Sequence, residues 1–285
     1  MNIFQKKVPN DFNLWCIGDF HIGTVAFAEK PFLNMIKDIK NDSKAQVVGL
    51  GDYVEGRSVD HPYFEFSNLD INSPIAYKQA EVVVKYLDPI KKKILVLLEG
   101  NHDRYSKNYI GLVENIICKD LGVDFGTWSC IIEFKTPKGS FKGHFTHGSD
   151  RRSPVRSMSP ISSRSQLNER LSLINILSAP NFGDCVINTC GHYHRIIKYH
   201  PSDYDDLCLL VKDGVLKETY KTPSHGADII PPFERFYASS GAWLKSYVNG
   251  ISTYGERAMF KAVSIGCIVY EIRGGKVKNV EARKY

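Results

Sequence analysis

Five times along this chain a short apolar run stops at a glycine-containing turn crowded with polar groups, and this repetition narrows the possible folds more than any other feature. The turns are GDFHIG after Phe12–Ile17, GDYVEG after residues 45–50, EGNHD after 94–98, HGSD after 141–146 and GHYH after Cys185–Cys190. Short β-branched and aromatic runs bounded by Gly and Asp have the pattern of buried strands. A polar cluster just past the carboxyl end of each strand is where open α/β sheets gather their sites.

The segments between these runs supply helices and hairpins. Pro31 opens a helix in which Phe32, Met35, Ile36 and Ile39 recur at helical spacing, and Ser73 with Pro74 starts a second with Ile75, Val82, Val83, Tyr86 and Leu87 on its buried side. A third, over about 110–121, stops at Gly122, and a fourth runs over about 165–177. Residues 128–134 and 141–146 flank TPKG as a hairpin; KDG and RGG mark two more, at 207–220 and 265–280. Strands that alternate with helices early and form hairpins later predict an α/β chain, a layered β-sandwich flanked by helices. The chain after GHYH is expected to complete the second sheet. The length of 285 residues suits one domain over 1–285 with insertions near 57–72 and 149–165.

With 43% hydrophobic residues the chain can bury a sizeable core. No apolar run approaches the roughly 20 residues that span a bilayer, and the start MNIFQKKVPNDFNLW is not a secretory leader, so a soluble, unprocessed, cytoplasmic protein without membrane contact is expected. The seven cysteines show no CxxC pairing and read as buried thiols in a reducing compartment. A net charge of +6 suits an anionic partner but is too mild to decide one. Nothing in the sequence indicates an oligomeric state.

The polar clusters contribute Asp19 and His21, Asp52, Asn101 with His102 and Asp103, His147, and His192 with His194. A carboxylate able to bridge, imidazoles and an amide oxygen are what two divalent ions about 3.5–4 Å apart require. Phosphate esters resist attack because anionic oxygens shield the phosphorus. A metal pair would neutralise those oxygens, lower the pKa of water until hydroxide forms near neutral pH, and align it with the leaving group. The leaving alkoxide then needs a proton, which His102 would donate if Asp103 kept its imidazole oriented and cationic. Taken singly, each cluster has a plainer reading as a turn or an Asx cap. HGSD is the weakest, since His144 lies three residues upstream of His147; strand alternation sends the two side chains to opposite faces, and only His147 precedes the polar turn.

In this order GDFHIG, GDYVEG, GNHD, HGSD and GHYH resemble the five motifs of calcineurin-like metallophosphoesterases, over residues 18–194. The resemblance implies that Asp19, His21 and His194 hold one metal, that Asn101, His147 and His192 hold the second, and that Asp52 bridges them. It makes His102 a general acid that is not a ligand. It also favours Mn²⁺, although donors of N and O type suit Fe, Ni²⁺ or Zn²⁺ as well.

GNHD and GHYH together look more like the branch that includes the SbcD-type nucleases and other phosphodiesterases than like phosphoprotein phosphatases, whose GDYVDRG places the arginine one residue earlier than Arg57 here. Between Asp150 and Glu169 the chain carries Arg151, Arg152, Arg156 and Arg164 and no acidic residue. Guanidinium groups beside the metals would hold a phosphodiester backbone; a solvated insertion is the plainer alternative. Tyr53, Tyr63, Phe64 and Phe66 would stack bases or pack the insertion on itself. The expectation is a metal-dependent phosphodiesterase acting on a phosphoester substrate, with nucleic acid favoured; an insertion covering the site would suit a small or single-stranded substrate. A phosphomonoesterase is the runner-up, and a noncatalytic binding module on the same fold stands third.

Overall fold

A computed structural model describes residues 1–57, 64–105, 111–149, 151–153, 163–201, 207–212, 215–220, 229–257, 259 and 261–285. Among these, two six-stranded sheets stack face to face with helices on their outer sides, and the structure is a mixed α/β sandwich of the expected class.

The first sheet is built on β2 (Phe12–Ile17), β3 (Ala45–Gly49), β4 (Ile94–Leu97) and the two-residue β5 (Asp124–Phe125), all parallel. Strands β13 (Gly266–Arg273) and β14 (Lys276–Lys284) extend it past β2 in antiparallel fashion, giving the order β14-β13-β2-β3-β4-β5. The second sheet runs β1-β6-β7-β8-β12-β9, from β1 (Asn2–Lys7), β6 (Ser129–Thr136), β7 (Gly139–Thr146), β8 (Cys185–Cys190), β9 (Ile197–Tyr199) and β12 (Phe236–Ser239). A separate hairpin pairs β10 (Leu207–Lys212) with β11 (Val215–Tyr220).

The segment after GHYH therefore divides its strands between the sheets. β9 and β12 join the second, as expected, but β13 and β14 close the first. Burial explains the choice, because Ile268, Tyr270 and Ile272 of β13 point into the layer between the sheets beside Phe12, Leu14 and Cys16 of β2. Each such large apolar side chain withdrawn from water contributes roughly 1.5–3 kcal/mol. Sequence reading missed β1, whose alternating NIFQKK sits on the sheet edge with Ile3 70% exposed and pairs in parallel with β6.

On the outer face of the first sheet, α1 (Glu29–Asn41) buries Phe32, Met35, Ile36 and Ile39, the four residues its spacing selects, against Trp15, Ile17 and Val47. α2 (Ala76–Leu87) begins later than Ser73, so Ile75 is left half exposed while Gln79 is buried instead. Gln79 is satisfied there because its Oε1 accepts the Gly56 amide at 3.0 Å and its Nε2 donates to the Ser73 carbonyl at 3.0 Å. A π-helical turn, Val113–Cys118, leads into α3 (Lys119–Leu121), which ends at Gly122 with φ +68°, the left-handed stop expected of that glycine. α4 (Ser163–Ser178) covers the outer face of the second sheet through Leu173 and Leu177, which pack on Tyr199 and Tyr237; a short α5 (Tyr254–Arg257) follows later. Cys16, Cys118, Cys130, Cys185, Cys190 and Cys267 are buried and unbridged. No helix among the described residues is long and apolar enough to cross a membrane.

Candidate metal centre

The carboxyl ends of β2, β3, β4, β7 and β8 converge, and the turns that follow them carry every residue singled out as a metal ligand. Of the eight non-glycine residues with positive φ among those described, five are Asp19, His21, Asp52, His192 and His194, at φ 53°, 51°, 54°, 72° and 52°. Such a conformation costs on the order of 1–3 kcal/mol per residue and survives only where its surroundings enforce it. Here it aims the five side chains into one space.

Hydrogen bonds hold the turns together. Asp19, Phe20 and His21 donate backbone amides to the carbonyls of Gly51 and Asp52 at 2.8–3.1 Å, so the first two turns run side by side. Asp103, 2% exposed, accepts four amides: those of Asp52 (2.7 Å) and Gly100 (2.8 Å) on Oδ2, and those of Tyr53 (2.9 Å) and Val54 (3.3 Å) on Oδ1. This carboxylate joins the turn after β3 to the turn after β4. Burial and the neighbouring Asp52 push its pKa up to about 7, while the amides pull it down.

Within this frame, ligand atoms of Asp19, His21, Asp52 and His194 lie within 4.8 Å of one another, as do those of Asp52, His147 and His192. Asp52 belongs to both groups. Its Oδ2 is 3.8 Å from His21 Nε2 and 3.3 Å from His147 Nε2, and its Oδ1 accepts the His102 amide at 2.8 Å. Asn101 joins the second group, with Oδ1 3.0 Å from His147 Nε2 and 2.9 Å from His192 Nδ1. Its amide nitrogen donates to the Tyr105 hydroxyl at 3.0 Å, which keeps the oxygen turned inward. Tyr105 carries no motif signal that would have marked it as this partner.

These distances fit divalent ions. Two donors each about 2.1 Å from one ion and at right angles to each other stand about 3.0 Å apart. His21 Nε2 and His194 Nε2 are 3.0 Å apart, and His192 Nδ1 and His147 Nε2 are 3.3 Å apart. The outer nitrogens are engaged so as to leave the inner lone pairs free: His147 Nδ1 donates to the Leu50 carbonyl at 2.7 Å, and His21 Nδ1 donates to the Glu55 carboxylate at 3.2 Å. Burial lowers the pKa of His194 well below its ordinary value, and the carboxylate of Asp52 is held low, against its burial, by His147, His102 and His21.

His102 stands beside the two groups, its ring 4.4 Å from that of His21. Its Nδ1 donates to the Glu55 carbonyl at 2.9 Å, and the Glu55 carboxylate lies 3.6 Å from the same nitrogen. Asp103 makes no hydrogen bond to this imidazole among the described residues; its oxygens face the backbone. The orienting group is Glu55, at the end of the GDYVEG turn, a residue the motif comparison does not single out. Burial, with the neighbouring His21, also pushes the pKa of His102 down to about 4, so the resting imidazole is neutral and not the cation expected. Arg57 and His21 pair with Glu55 as well, at 3.1 and 3.2 Å.

His144 is turned away from this cluster, against Phe182 on the outer face of the second sheet, as strand alternation requires. Arg151 and Arg152 are exposed just past HGSD; Arg156 and the side chain of Arg164 lie outside the described residues. Tyr53 is fully buried with its ring on Phe20 and is closed to any base, Phe64 packs on Phe66 at 5.0 Å, and Tyr63 lies outside the described residues.

An α/β sandwich with buried carboxylates and imidazoles gathered at its strand ends defines a metal-binding class of protein. The family model for calcineurin-like phosphoesterases matches residues 12–215, and the chain belongs to that family. No curated protein matches it significantly.

Proposed function

We propose that the protein is a metal-dependent phosphodiesterase using two divalent ions, manganese favoured, with nucleic acid the preferred substrate class. The observation that carries the reading is the sharing of Asp52 between two groups of ligand atoms, each confined to 4.8 Å. Asp19, His21 and His194 would hold one ion, Asn101, His147 and His192 the other, and Asp52 would contact both. When bound, the pair would supply positive charge to the phosphoryl oxygens and lower the pKa of water.

The chain's own groups handle the proton. His102 Nδ1 is committed to the Glu55 carbonyl, so Nε2 is the nitrogen that would carry to the leaving alkoxide the proton that the nucleophilic water gives up. The Glu55 carboxylate, 3.6 Å away, stabilises the imidazolium while it lasts. Arg151 and Arg152, exposed four and five residues past His147 in the chain, would suit phosphates next to the scissile one.

Hydrolysis of bis-p-nitrophenyl phosphate and of p-nitrophenyl phosphate, with Mn²⁺ added, tests the assignment. The diester is expected to be the better substrate. Preference for the monoester would make the protein a phosphatase, and turnover of neither by metal-loaded protein would leave a binding module.

A further inference from the structure

On the outer face of the second sheet, next to the turn that carries His147, lies a cavity of about 450 Å³ that the metal centre does not use. Its floor is Ser129, His144 and Thr146 of β6 and β7, and its walls are Ile176 and Leu177 at the end of α4 and Phe182 beyond it. His144 is only 3% exposed, yet its Nδ1 has no hydrogen-bond partner among the described residues. A buried polar atom without a partner is rare and costly, and an apolar side chain would pack the same strand face without that cost. Burial pushes the imidazole down to about pKa 4, so it is uncharged at neutral pH. The Phe182 ring lies 4.6 Å from the His144 ring, so two flat rings meet on one side of the cavity.

Residues that follow His147 also line the cavity. Gly148 and Ser149, which follow His147, form one end of it, and Arg152 reaches its edge. The Gly148 carbonyl accepts Trp128 Nε1 at 2.9 Å, and the Trp128 ring lies 5.0 Å from that of His147. The Ser149 amide donates to the Tyr193 hydroxyl at 3.1 Å, and Tyr193 follows His192. The cavity and the ligand cluster thus share the turn that follows His147.

We infer that this cavity is a nucleobase subsite: an uncharged heteroaromatic ring, itself a hydrogen-bond donor and acceptor, enters against His144 and Phe182 while its phosphate lies toward Arg152. Aromatic and aliphatic walls take up the faces of a base, and an imidazole with hydroxyls pairs its edge. Only the position of the phosphate rests on the phosphodiesterase reading. The base site itself stands on the cavity.

The test uses the full chain loaded with Mn²⁺. Equilibrium dialysis measures binding of labelled adenosine, guanosine, cytidine and thymidine to the parent, to Ala179→Trp, which fills the cavity from its rim, and to His144→Phe, which keeps a ring but removes the nitrogens. At least one nucleoside is expected to bind the parent and to bind each variant about tenfold more weakly. The ratio of kcat/KM for thymidine 5′-(p-nitrophenyl phosphate) to that for bis-p-nitrophenyl phosphate should fall by a similar factor. Absence of nucleoside binding to the parent, or binding indifferent to both substitutions, overturns the subsite. The two readings fail separately. Nucleoside binding that follows the variants in a protein that hydrolyses neither ester keeps the subsite and removes the diesterase, while turnover of bis-p-nitrophenyl phosphate without such binding does the reverse. If Ala179→Trp does not fold, His144→Phe, which is nearly isosteric, carries the comparison.

Discussion

Glu55 lies between two imidazoles, with its Oε2 3.2 Å from His21 Nδ1 and 3.6 Å from His102 Nδ1. Its negative charge raises the pKa of His102 against the burial that lowers it. Glu55→Gln keeps an oxygen for His21 but removes the charge, so protonated His102 persists only to a lower pH. The basic limb of kcat for a dinucleotide should therefore move to lower pH, with a smaller change for activated nitrophenyl esters that leave without a proton, as a pH–rate profile would show. An unmoved limb would separate Glu55 from the acid. Glu55→Ala, which also releases His21, should weaken metal binding by about 10–100-fold. His144 offers a second titration. Its folded pKa of about 4 is below the unfolded 6.5, so the unfolded chain binds the extra proton first, and stability is lost as pH falls from 6.5 toward 4. Between about pH 7 and pH 5 the loss from this group should be ~2 kcal/mol. His144→Phe should abolish that share of the acid sensitivity in urea denaturation, and an equal loss in parent and variant would contradict it. Both roles were illegible in the sequence for the same reason: a carboxylate three residues from Asp52, and a histidine on the opposite strand face, acquire meaning only from neighbours distant along the chain.

The turns matter as elements because they touch each other's backbone. A Cβ on Gly100 would stand 2.1 Å from Asp52 Oδ1 and 2.6 Å from the Asp52 amide nitrogen, and Gly51 at φ +90° is pressed against Gly100. Gly100→Ala should therefore push Asp52 out of place and cost at least tenfold in metal affinity, measured by calorimetric titration. Unchanged affinity would mean that the turn has slack the geometry does not show. This contact explains why glycine precedes both Asp52 and Asn101 at the two strand ends. The strands and the packed face of α1 were legible from periodicity, since Phe32, Met35, Ile36 and Ile39 are apolar at helical spacing and are the residues buried. The start of α2 was less so, because Ile75 carries an apolar signal yet caps the helix exposed, while Gln79 is buried through two hydrogen bonds that no hydrophobic pattern records. β1 escaped notice because an edge strand with lysines and an exposed isoleucine has little of the pattern of a core strand.

At the scale of the whole molecule, two sheets close over one apolar layer and leave their strand ends to assemble a site that no single segment contains. The residues that gather at the strand ends were legible because each sits in a short turn of distinctive composition. The assignment of β13 and β14 was not, since RGG marks a hairpin without saying which sheet receives it; that is decided by Ile268, Tyr270 and Ile272 filling the inter-sheet layer. The mild net charge of +6 likewise says less about the partner than the local grouping of donors does. Sharing of Asp52 by two ions is decided by elemental analysis of protein equilibrated with Mn²⁺ and freed of excess. Two equivalents per chain are expected for the parent, falling to one or fewer in Asp52→Asn with loss of diester hydrolysis; a parent that retains a single equivalent, or an Asp52→Asn protein that still holds two as tightly, would contradict the account.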